Sequence, residues 1–144
     1  MRLLEGVRAA ADFSEDGVYR YTLERRWSTG GPPVLWIMLN PSTADAETDD
    51  RTVRRCQDFT RAWGYHGAVI ANLFALRSTD PKALYDHPAP VGPLNDGYIQ
   101  NAVTEAGLVV AAWGTHGALR GRGAAVLTML ARMRVEVHRL GPAT

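Results

Sequence analysis

"VLWIMLNPSTADAETDDRTVRRCQDF", residues 34–59, decides the fold. An apolar run from Val34 to Leu39 stops at Asn40-Pro41-Ser42, crosses a cluster of acids and opens into a helical pattern. Unbroken hydrophobicity fits a strand covered on both faces, as in a parallel sheet. Val53, Cys56, Phe59 and Trp63 then recur at three- and four-residue steps, with Asp49 or Asp50 placed to cap the start and Gly64 the end. The quoted stretch therefore reads as a strand feeding a helix.

The same alternation continues downstream. AVIANLFAL (68–76), LVVAAW (108–113) and VEVHRL (135–140) are further strand candidates. Between them, PLNDGYIQNAVTEAG places Leu94, Ile99, Val103 and Ala106 on one stripe. HGALRGRGAAVLTMLARMR carries Leu119, Val126, Leu127, Leu130 and Met133, with three glycines weakening its first turns. Thr79-Asp80-Pro81 caps a shorter piece, PKALYDH. Upstream, Tyr19, Tyr21 and Leu23 alternate with Arg20, Thr22 and Glu24, the period of a strand with one covered face. Glu15-Asp16-Gly17 turns that strand back onto VRAAADF, so residues 7–28 form a hairpin. The expectation is one α/β domain over residues 1–144, with a hairpin and loop over 1–33 and a β/α core over 34–141. That core is a three-layer sandwich around a central, mostly parallel four-stranded sheet.

With 16 basic and 15 acidic residues, no global field drives the chain onto nucleic acid or a membrane. Any such contact must come from a local patch. The basic side is almost entirely arginine, with Lys82 the single lysine. Arginine makes forked contacts to phosphate, and genomic base composition produces the same bias. A lone Cys56 excludes an internal disulfide and a cysteine metal cluster, which fits a reducing cytoplasm. No stretch reaches the about 18 apolar residues of a membrane span.

In a parallel α/β sheet the working groups gather beyond the carboxyl ends of the strands. That rule selects Asn40-Pro41-Ser42, Asn72 to Ser78, Trp113 to His116 and the segment after Leu140. Asn40 either begins a turn or holds a water through its carbonyl. Asn72 lies inside an apolar run, where an amide must find its hydrogen bonds. Its donor and acceptor match the edge of a nucleobase; a structural tie to a nearby loop uses them as well. Gly114 and Thr115 either offer N–H groups to a phosphate or merely cap a helix. Asp45, Glu47, Asp49 and Asp50 read as a magnesium site or as a solvated loop before a helix. His66, His87, His116 and His138 lack metal-ligand spacing, and Cys56 on a helical stripe reads as core. The glycines of residues 117–123 fail the dinucleotide fingerprint, and no cofactor is expected.

The blocks MLNPSTAD, DDRTVRRC, NLFALRSTDP, PVGPLND and AAWGTHG, in that order, resemble the uncharacterised bacterial family catalogued as domain of unknown function 1643, over roughly residues 18–141. A more remote resemblance is to the uracil-DNA glycosylase superfamily. Leu39-Asn40-Pro41-Ser42 is similar to the Ile-Asn-Pro-Gly motif of its mismatch-specific members, Ile70-Ala71-Asn72 to a later strand end, and Ala112-Trp113-Gly114 to a Trp-Gly or Leu-Gly pair. The resemblance implies that Asn40 orients the water attacking the sugar C1′ and that Asn72 reads the edge of a flipped uracil or mismatched base. Phe74 then either offers a stacking face or, from its strand position, packs in the core. Ser42, Arg77, Gly114 and Thr115 hold phosphates, and Arg120 and Arg122 supply the remaining grip on DNA. The superfamily's His-Pro loop lies after the last strand, where this chain ends at Gly141-Pro142-Ala143-Thr144. Either the C-terminus is truncated or the protein works without that histidine, with His116 as a substitute.

Three expectations follow: a base-excising glycosylase, a non-catalytic module binding a nucleobase, nucleotide or nucleic acid, and a magnesium-dependent phosphoryl-transfer enzyme using Asp45, Asp49 and Asp50. The first two take DNA or a nucleobase-containing ligand as partner, and none involves a membrane.

Overall fold

A computed structural model of the chain describes residues 2–4, 6–28 and 30–140. Among the described residues seven strands form one sheet: β1 (Arg2–Leu4), β2 (Val7–Phe13), β3 (Arg20–Arg26), β4 (Val34–Met38), β5 (Gly67–Asn72), β6 (Leu108–Ala111) and β7 (Val137–Arg139). Their order is β1-β2-β3-β5-β4-β6-β7. The expected hairpin is present as β2 and β3, but it is not an appendage to the parallel core. Leu23 pairs with Ile70 and Arg26 with Gly67, so β3 runs antiparallel along β5 and the sheet is mixed. From β5 onward, β4, β6 and β7 pair in parallel.

Helix α1 (Arg51–Ala62) joins β4 to β5. Asp50 caps it, its carboxylate accepting the Val53 N–H at 2.9 Å, and Gly64, at φ 83°, ends the segment in the left-handed region that favours glycine. Helices α2 (Lys82–Asp86) and α3 (Asn95–Glu105) lie between β5 and β6, and α4 (Arg122–Arg132) follows β6. Alternation along β4 sorts the layers. Val34 and Trp36 pack with Val53 and Cys56 of α1. Leu35 and Ile37 face the other way, onto Leu84, Ile99, Val126 and Leu130. The sheet is thus covered by α1 on one face and by α2, α3 and α4 on the other. Each fully buried Leu or Ile in these layers contributes about 1.5–3 kcal/mol. The Trp36 indole N–H is not left unpaired, since it donates to Thr60 Oγ1 at 3.0 Å.

All four strands from β4 onward end short of the expected runs, β4 by one residue and β6 by two. β5 ends at Asn72, and Leu73 to Leu76 continue as buried irregular chain whose N–H groups donate to the carbonyls of Met38, Leu39, Val91 and Pro90. The last strand contracts to Val137–Arg139. After β6 two of the glycines, Gly117 and Gly123, have a packing cause. A methyl at Gly117 would stand 2.2 Å from Trp113 Cδ1, and one at Gly123 3.0 Å from Trp113 Nε1. The backbone there coils as a 3-10 helix (Thr115–Gly121) broken at Leu119 and Arg120, then enters α4. Among the described residues no helix is long and apolar enough to cross a membrane.

Candidate functional site

On the α1 face, beyond the carboxyl ends of β4, β5 and β6, a cavity of about 180 Å³ opens between the sheet and the start of α1. Met38 and Asn72 are register partners on adjacent parallel strands, so both side chains point to this face. With Ile70 and Ala112 they line its sheet side. Leu39, Asn40, Pro41 and Ser42 line the turn side, Asp50, Thr52 and Val53 the helix side, and Arg20 comes from the start of β3. The two asparagines singled out from sequence therefore share one hollow.

Asn72 is 1% exposed, and neither its amide nitrogen nor its amide oxygen has a hydrogen-bond partner. Burying both without partners is costly, about 1–3 kcal/mol for each unsatisfied group. Its backbone carbonyl is not idle, accepting from Asn95 Nδ2 at 2.8 Å. The side chain is thus held by its strand while its polar head is left free.

Asn40 differs. Its Nδ2 donates to the carbonyls of Pro41 (3.1 Å), Leu76 (3.3 Å) and Ser78 (3.0 Å), clasping the turn after β4 to the chain after β5. Asn40 thus fixes the turn through Nδ2, and Oδ1 takes no part in that clasp.

Sequence alternation placed Arg20 on the open face of its strand. It is instead 2% exposed, donates from Nη1 to the Ala44 carbonyl at 3.0 Å, and leaves Nε without a partner. A register shift between Asp12 and Phe13, where β2 pairs with the start of β3, is the kind of irregularity a two-residue period cannot show. Burial pulls its guanidinium down to about 10, with Asp50 and Asp45 opposing and Arg77 and Arg25 adding to the drop. It remains a cation at neutral pH. Asp50 brings the cavity a carboxylate whose oxygens also accept from the N–H groups of Val53 and Ala44.

Of the other expected site residues, Ser42 lines the cavity and the rest are placed elsewhere. Phe74 is fully buried in the core on the opposite face and offers no stacking surface. Arg77 lies over the Phe13 ring at 4.8 Å and donates to the Gly17 carbonyl, bracing the hairpin. Gly114 and Thr115 are exposed and outside the cavity lining, and His116 Nδ1 is 3.0 Å from the Tyr85 hydroxyl. Arg120 donates to the carbonyls of Pro88 and His87. Arg122 is 8% exposed, donates from Nε to the Leu73 carbonyl at 2.8 Å and pairs with Asp96 at 2.5 Å. Arg120 and Arg122 are therefore spent on holding loops, while Arg77 keeps a buried Nε without a partner. His138 is 3.8 Å from Glu136, and the segment after Leu140 lies outside the described residues.

The acids also have separate duties. Asp45 Oδ1 accepts from Glu47 and Thr48, which holds its carboxyl below the ordinary range. Asp49 pairs with Arg25 at 2.8 Å and accepts from Gln57. Among the described residues no three His, Cys, Asp or Glu side chains gather as a metal site. A larger hollow of about 290 Å³, lined in part by Arg25, Asp49, Arg54 and Arg61, has key cations already answered. Arg25 is paired with Asp49, and Arg61 lies over Trp27 at 4.0 Å.

The family model described as "Protein of unknown function (DUF1643)" matches residues 20–143. No curated protein and no solved structure matches the chain.

Proposed function

We propose, from the premise that the chain belongs to the DUF1643 family, that the cavity between Asn40, Asn72 and Arg20 is a nucleobase pocket. One observation carries this reading: Asn72 presents a donor and an acceptor, both unpartnered, at the wall of a cavity. A planar lactam edge, as in uracil, supplies one acceptor and one donor side by side and satisfies both at once. Met38, Ile70 and Ala112 give the ring an apolar bed. Because Asn72 is only 1% exposed, a ligand reaches it by displacing a neighbouring side chain, and the unbranched Met38 beside it is suited to yield. The remote sequence resemblance to the uracil-DNA glycosylase superfamily supports the same reading, through one asparagine two residues past β4 and another at the last position of β5.

Calorimetry with uracil, thymine, cytosine and their nucleosides tests it. Binding of at least one base is expected, with loss of about tenfold or more in Asn72→Leu. Failure of every base and nucleoside to bind, or equal binding by the variant, ends the reading.

A second reading, hydrolysis of the N-glycosidic bond, is favoured by Asn40, whose Nδ2 is occupied while Oδ1 remains to orient a water. Asp50 stands in the same cavity to receive its proton. The water oxygen bonds to the sugar C1′, and the electron pair of the broken C1′–N bond stays on the base. DNA containing uracil or mismatched bases, incubated with the protein and heated in alkali, breaks at the excised positions if this is so. Intact strands leave binding without chemistry. Unpairing the base costs about a few kcal/mol, least for a mismatched one.

A further inference from the structure

Asn95, the first residue of α3, is fully buried and takes no part in lining the cavity, yet it grips the chain that carries Asn72. Its Nδ2 donates to two consecutive carbonyls, Asn72 at 2.8 Å and Leu73 at 3.1 Å. Consecutive carbonyls of an extended strand point to opposite edges, so one nitrogen serving both marks the place where the chain leaves β5. The ladder gives little support there. β3 pairs with β5 no further than Ile70, and Asn72 is the last residue of β5 to pair with β4. Asn95 Oδ1, buried alongside, has no partner. The position therefore bears the cost of an orphaned acceptor, and what it gains is a pair of N–H donors on the backbone.

Resting on the nucleobase reading above, we propose that Asn95 is a positioning residue for Asn72. From the opposite face of the sheet it fixes the two peptide planes that flank Leu73 and, through them, the direction in which the Asn72 amide meets the edge of a base. The Asn72 head has no hydrogen bond of its own to steady it, so its aim is inherited from its backbone and its packing. Recognition through two hydrogen bonds at once tolerates an error of only about 0.5 Å or 10–20°. A chain free to turn at the end of β5 exceeds that, and the double grip of Asn95 removes the freedom. Arg122 supplies an internal comparison. Its Nε donates to the Leu73 carbonyl at 2.8 Å and its far end binds Asp96. It braces the same segment one residue further on, whereas Asn95 is, among the described residues, the side chain that donates to the Asn72 carbonyl.

The test compares uracil and thymine, which carry a ring N–H on each lactam edge, with their 1,3-dimethyl forms, which keep both carbonyls and lose both N–H groups. Titrated calorimetrically into the full chain, the parent base is expected to bind about tenfold or more tighter, because the methylated form leaves Asn72 Oδ1 unpaired. Asn95→Leu is expected to shrink that ratio to about threefold or less. A merely structural role would lower both affinities together and leave the ratio alone. Arg122→Met, which weakens the same segment without touching the Asn72 carbonyl, is expected to keep the ratio. Asn95→Ala, which cannot overpack the site, carries the same comparison if the leucine variant fails to fold. On the unaltered protein without ligand, NMR relaxation of the Asn72 side-chain amide is expected to show a rigid group on the ps–ns timescale; free reorientation overturns the proposal whatever the variants do. A ratio unchanged in the Asn95 variants, or lost equally in Arg122→Met, overturns the positioning role and leaves the nucleobase reading standing. Failure of uracil and thymine to bind the unaltered protein, or equal binding of their dimethyl forms, removes the lactam edge from that reading and the positioning role with it.

Discussion

Two regions beyond the carboxyl ends of the parallel strands both drew attention in the sequence and differ in their accounts of polar groups. The segment from Trp113 to Arg122 is rich in glycine, arginine and histidine, and its arginines are spent: Arg120 on two carbonyls, Arg122 on Leu73 and Asp96. The hollow under α1 is quieter in composition, yet Asn72 and Arg20 keep three buried polar atoms without partners. Satisfied polar groups stabilise; unsatisfied ones bear a standing cost that a ligand can relieve. The contrast teaches that a basic cluster is no guide to a site until its donors have been counted.

The largest break in that comparison comes from the packed region. Gly117→Ala sets a methyl 2.2 Å from Trp113 Cδ1, and overpacking of this severity costs about 3 kcal/mol or more. Thermal unfolding is expected to show a steep loss, and an unchanged midpoint would mean that Trp113 swings aside freely. Next, Arg122→Met strips the Leu73 carbonyl of one of its two donors and frees Asp96, lowering stability by about 2 kcal/mol in urea titrations. Equal stability would mean that the clasp is idle. In the cavity the sign reverses. Asn72→Leu replaces two orphaned polar atoms with apolar ones and is expected to raise stability by about 1 kcal/mol while removing base binding. A destabilised Asn72→Leu would show that the amide has partners and that the two regions do not differ. The smallest effect concerns Cys56, 3% exposed on α1, whose thiol burial pushes up from 9.0 to about 12. The native state favours the neutral thiol, so this group's contribution to stability is intact below 9.0 and falls as pH rises from there toward about 12. Iodoacetamide at mildly alkaline pH should label it only after unfolding; rapid native labelling would contradict the burial of its thiol.

Much of the frame was legible because burial on both faces writes continuous apolar runs, as in Val34–Met38 and Leu108–Ala111. The caps were legible too, since Asp50 and Gly64 act locally. Asn40 and Asn72 stood out because an amide ending an apolar run is chemically conspicuous, and they line one cavity. Arg20 did not stand out. Alternation assigned it to solvent, and nothing local announces that the start of β3 is covered by Ala44. The roles of Arg120 and Arg122 were hidden for a related reason. Their acceptors lie 32 to 33 and 49 residues away in the chain, and a guanidinium's partner cannot be read from its neighbours. The two readings of Phe74 could not be separated in the sequence because β5 ends at Asn72, after which strand alternation no longer says which way a side chain points; the structure puts it in the core.

The pairing of β3 with β5 carries a practical consequence. A fragment beginning at Val34 would keep all four parallel strands, yet it would strip β5 of its neighbour and bare a row of backbone donors and acceptors. Such a rim recruits other chains. Trimming the protein to its parallel half would therefore yield aggregates, and would take away the Arg20 wall of the hollow as well.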